Sequence, residues 1–60
     1  MATLNQMEIN SIREVVAGHQ MISAKLAAYS NSCTDPNIKQ MFHKASTDAQ
    51  TSAQKLIAML

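Results

Sequence analysis

The stretch "NSCTDPNIKQMF", residues 31–42, holds the only proline and the only cysteine of a 60-residue chain. Asp35–Pro36 reads as a helix start. Asp35 is placed to cap the first turn, and Pro36 sits at the first helical position, where proline's missing N–H costs nothing. Long helical patterns flank this point on both sides, so the chain is predicted to fold back once upon itself. A turn of three or four residues suits an antiparallel αα-hairpin. The expected layout is a single domain over residues 1–60, with one helix over 4–31, a turn over 32–35 and a second helix over 36–60.

Working back from the turn, Leu4, Ile12, Val15, His19, Ile22, Leu26, Tyr29 and Cys33 form a stripe, spaced by three and four from Ile12 onward. That is the signature of one helix face. Ile9, Val16 and Ser23 widen the stripe on one flank, as expected of a helix that touches more than one neighbour. Thr3 with Gln6, or Asn5 with Glu8, can supply an N-terminal capping box. Working forward, Ile38, Met41, Phe42, Ala45, Ala49, Ser52, Ala53, Leu56, Met59 and Leu60 share a second face. Its centre is made of small residues, which let a facing helix approach closely.

A chain this short is near the size at which one core becomes marginal. Disulfides, a metal or oligomerisation are the usual remedies. With one cysteine an internal disulfide is impossible, so the sequence predicts a second copy: two hairpins related by a two-fold axis, forming a four-helix bundle. The interface set is Ile12, Val15, His19, Ile22, Leu26, Phe42, Ala45, Ala49 and Leu56.

The formal net charge of +1 offers no electrostatic case for nucleic acid or an anionic membrane as partner. No run approaches the ~20 apolar residues of a membrane span, and "MATLNQMEIN" lacks the basic and apolar regions of a secretory signal. A lone Cys33 fits a reducing interior. These features predict a soluble, cytoplasmic protein.

Candidate chemistry is sparse. A dinuclear metal site in a helical bundle needs Glu-x-x-His, which puts carboxylate and imidazole one turn apart on one face. Neither Glu8 nor Glu14 has a histidine three residues on. Glu14 and His19 are separated by about 140° around the helix. The metal candidates reduce to His19, Glu8 and Asp48, and the expectation is no metal and no cofactor. His19 falls mid-stripe, beside Gly18, whose absent side chain could admit a close neighbour; it reads as a histidine hydrogen-bonded across the seam. Cys33 stands at a helix C-terminus, where the dipole disfavours a thiolate, and reads as a small capping residue. His43 falls on the polar face. No serine or threonine sits in a motif with a base, so no catalytic residue is expected and the chain reads as non-enzymatic.

The segment "CTDPNIKQMFHKASTDAQTSAQKLIAML" resembles the small ferritin-like helical proteins of spore-forming Firmicutes, the spore coat protein F-like family. Asp35, Pro36, Ile38, Lys39 and Asp48 match its Asp-Pro-x-(Leu/Ile)-Lys turn and its mid-helix aspartate. "TSAQKLIAML" stands in place of a Gln-rich, Leu-ended run. The resemblance spans residues 8–60 and is clearest over 33–60. It implies a ferritin-like bundle, a structural place in or near the spore coat, and other coat proteins as further partners. It supplies no catalytic residues, and the missing Glu-x-x-His separates this chain from the metal-binding ferritin-like proteins. Two alternatives stand beside this reading: a metal-binding bundle protein, and a helical adaptor that completes its core with a partner protein.

Overall fold

The computed structural model describes residues 3–60 as two helices, α1 (Gln6–Ser32) and α2 (Pro36–Ile57), joined by a short turn into an antiparallel hairpin. The start of α1 is set at Asn5, whose backbone is extended (φ −83°, ψ 171°). Its side chain accepts the Glu8 N–H at 2.8 Å, and the Glu8 carboxylate accepts the Asn5 N–H at 3.1 Å. Of the two predicted capping boxes the Asn5–Glu8 pair is the one formed, so the helix begins at Gln6 rather than at residue 4.

At the other end α1 runs through Ser32, and Cys33 turns the chain into extended backbone (φ −76°, ψ 139°). The Cys33 N–H donates back to the carbonyls of Tyr29 and Ser30. Asp35 is likewise extended (φ −75°, ψ 122°), as the residue before a proline tends to be. Its carboxylate accepts the N–H groups of Asn37 at 2.8 Å and Ile38 at 3.1 Å, so two orphan donors of the first turn are satisfied by one side chain. α2 ends at Ile57 in place of residue 60. There Met59 and Leu60 donate three residues back, to Leu56 and Ile57, and the helix tightens into a closing turn.

The two helices pack along a seam traced by seven-residue steps: Val16, Ser23 and Ser30 from α1, Ser46 and Ala53 from α2. Val16, Ser30, Ser46 and Ala53 are the buried residues among those described, and Val16 is the one of any apolar size. The contact is made by small side chains and hydroxyls. Ser23 Oγ donates to the Ser46 carbonyl at 3.0 Å, Ser46 Oγ donates to the Ser23 carbonyl at 2.9 Å, and Ser30 Oγ donates to the Lys39 carbonyl at 3.0 Å. Each seam hydroxyl therefore bridges to the backbone of the opposite helix. Among the described residues no buried side-chain polar atom lacks a partner.

The Ser23–Ser46 and Ser30–Lys39 bridges both join residues whose numbers add to the same total, so the axial match between the helices holds constant along the seam. The resulting body measures 46 × 17 × 9 Å between Cα extremes, one helix thick. Its radius of gyration is 14.2 Å, against about 10 Å for a compact chain of this length.

Candidate functional site

The structure rotates α1 relative to the predicted stripe. The row Val16–Ser23–Ser30, of which Val16 and Ser23 had read as a flank, points into the hairpin. The row Val15–Ile22–Tyr29 is turned from it by about 100° and faces outward. Val15, Ile22 and Tyr29 are 45%, 44% and 52% exposed. Between the two rows lie Ile12, His19, Leu26 and Cys33, each half-buried.

On α2 the corresponding outward flank begins with Ile38, 47% exposed, and continues through Phe42, Ala45, Ala49, Ser52 and Leu56, all half-buried. The rings of Tyr29 and Phe42 meet at a centroid distance of 5.8 Å and a tilt of 59°. That contact puts the outward flank of α1 and the outward flank of α2 on the same side of the hairpin. On the opposite side a shallow groove is lined by Gln20, Ala24, Ala27, Gln50, Gln54 and Ile57, above the seam residues Ser23, Ser46 and Ala53. One broad face of the slab thus carries the larger apolar side chains of both helices, and the other mixes alanine, glutamine and Ile57.

All nine residues of the sequence-derived interface set lie on or beside the apolar face, but none is among the buried residues of the hairpin. His19 is the polar atom-bearing member. Its Nδ1 lies 2.9 Å from the Val15 carbonyl, one turn back. A carbonyl can only accept, so Nδ1 carries the proton and, in the neutral ring, Nε2 keeps its lone pair. The histidine therefore bonds within its own helix and not across the seam. Gly18 is not approached by any part of the hairpin: a Cβ added there would meet nothing within 4 Å.

The metal candidates are not brought together. Glu8 is engaged in the α1 cap, Asp48 pairs with Lys44 at 3.0 Å on the solvent side of α2, and His19 stands apart from both. Among the described residues no three His, Cys, Asp or Glu side chains gather where they could hold one ion. Cys33 is half-buried and free, and His43 is exposed, its carbonyl accepting the Thr47 hydroxyl. Among the described residues no helix is long and apolar enough to cross a membrane.

Ser30 and Ser46 are the residues that periodicity read by hydropathy passes over. Their signal is the seven-residue step that carries Ile9 and Val16 to Ser23 and Ser30, and Lys39 to Ser46 and Ala53. No family model matches the chain, and no curated protein or solved structure does either.

Proposed function

We propose that this chain is a non-enzymatic structural and assembly module, which pairs with a second copy through its apolar face to complete a four-helix bundle. The observation that carries this reading is the size of the uncovered face. A folded protein of 6.6 kDa exposes about 3,900 Å² on the usual size scaling, whereas the hairpin exposes 4653 Å². The excess, roughly 750 Å², is close to the ~800 Å² that each partner contributes to an interface of standard size. Val15, Ile22, Tyr29 and Ile38 are among the large apolar side chains that stand exposed outside the seam.

The likeness of residues 33–60 to the coat F-like proteins supports a structural role in the cytoplasm of a sporulating cell, with incorporation into the spore coat and contacts to other coat proteins. Detection of the chain in coat extracts of mature spores tests that placement, and its confinement to the soluble core fraction overturns it.

The assembly is tested by sedimentation of protein purified without chelator, with metal content read on the same sample. A metal-free dimer at micromolar concentration is expected. A folded monomer overturns the bundle. Stoichiometric iron, manganese or zinc moves the assignment to a metal-binding ferritin-like protein and makes His19, Glu8 and Asp48 the first positions to mutate. A chain that is unfolded alone and stable in a hetero-complex moves it to an adaptor.

A further inference from the structure

Resting on the dimer reading above, we propose that pairing of the two copies is switched by protons through His19. The dimer holds at neutral pH and loosens as pH falls through the range in which imidazole takes up its proton.

His19 occupies the middle of the apolar face. On α1 it stands between Ile12 and Val15 on one side and Ile22 and Leu26 on the other, all within about 60° of it around the helix. In the single hairpin it is already half-buried. The Ser23–Ser46 bridge fixes its level against α2: His19 is one turn before Ser23, and Gln50 is one turn after Ser46. The α2 side chains of the face at that level are Ala49 and Ser52, neither of them charged. Nδ1 donates to the Val15 carbonyl at 2.9 Å, a bond within one helix that a second copy leaves in place. Nε2 keeps the lone pair that accepts a further proton. In a lone hairpin the resulting imidazolium is within reach of water. Covered by a second copy, the same charge is withdrawn from water, and desolvation disfavours the charged form.

No group of opposite charge is placed to compensate. The nearest ionisable side chains on α1 are Arg13, Glu14 and Lys25, all exposed and turned from His19 by about 120–140°. On α2, Lys44 and Asp48 pair with each other, and Lys39 and Lys55 are exposed cations. Whichever way the second copy lies, it presents this same face. The carboxylates along it are Glu8, seven residues before Val15, and Asp35, seven before Phe42. Both stand at its ends and are engaged as helix caps. Lys25 at its margin adds repulsion to an imidazolium rather than relief. Separated copies therefore bind more protons than the dimer does, by up to one each, and acid favours separation.

Sedimentation equilibrium of the full chain at pH 7.5 and pH 5.5 tests the switch, since free carboxylates and thiols titrate outside this window. The dissociation constant should rise by at least about tenfold at the lower pH. His19→Gln should hold it constant to within about twofold, whereas His43→Gln, which alters the exposed histidine beside Asn31 and Gln40, should keep the full dependence. Should His19→Gln fail to pair, His19→Leu supplies an uncharged and apolar reference with the same expectation. A wild-type dimer of equal affinity at both pH values overturns the switch while leaving the dimer intact. So does a pH dependence that survives in the His19 variants. A monomer at both pH values overturns the dimer itself.

Discussion

Three serines hold the hairpin seam by donating to carbonyls that already belong to helical ladders. Because an alanine variant keeps the carbonyl, losing one hydroxyl removes one bond without orphaning a partner. Ser23→Ala and Ser46→Ala should each lower stability by about 1 kcal/mol. The double variant should sum the two losses to within about 0.5 kcal/mol, as independent bonds do. Urea unfolding of the four proteins checks this. A coupling well beyond that would mean that the hydroxyls serve mainly each other, across their 3.2 Å contact.

Gly18 is a residue of the opposite kind, since it pays the backbone entropy of a helical glycine and nothing in the hairpin uses the space. Gly18→Ala should raise stability by about 0.5–1 kcal/mol. A fall in melting temperature would show that something outside the hairpin packs against this position.

At the scale of the element, the two helices depend on caps made by single side chains. Asp35 satisfies two N–H groups at once, and it does so at the point where the chain reverses. Asp35→Ala should cost about 1 kcal/mol, which for a domain this small lowers the melting temperature by about 4–8 °C. An unchanged transition by circular dichroism would mean that Pro36 and the packing of Ser30 against Lys39 hold the turn unaided. α1 and α2 differ in what they bury: α1 turns its hydroxyl row inward and its larger apolar row outward, whereas α2 keeps Ser46 and Ala53 inside and spreads Phe42, Ala49 and Leu56 along the open flank. Hydropathy alone picks the larger row as the inner one. In this molecule close approach of two backbones outweighed the burial of larger side chains, because small seam residues let the hydroxyls reach across.

For the whole molecule, a slab one helix thick has two broad faces and no interior, so its stability as a folded unit should depend on concentration in the proposed dimer. Ile22→Lys puts a charge on the apolar face through which the two copies are proposed to pair. It should convert dimer to monomer by sedimentation velocity and abolish the concentration dependence of the melting temperature. A variant that still sediments as a dimer would exclude this face. Ala49→Leu keeps the face apolar but overfills the close approach of a facing helix, with an expected loss of roughly 1–3 kcal/mol. An unchanged melting temperature would remove Ala49 from the contact.

Local chemistry determined the helices and the place where they meet. A capped Pro36, a capping box at Asn5–Glu8 and the apolar repeats are interactions among residues within a turn or two of one another, and such interactions can be read from a string of letters. The two-helix hairpin was therefore legible, as were the residues of the apolar face taken as a set. Which row of α1 faces α2 was decided only by tertiary structure. The alternatives, Val15–Ile22–Tyr29 and Val16–Ser23–Ser30, differ by one residue and about 100° of rotation. The choice rested on hydrogen bonds from Ser23, Ser30 and Ser46 to carbonyls nine to twenty-three residues away. No local signal encodes those partners, because a serine hydroxyl gains its stabilising bond only when the facing backbone is already close enough to accept it.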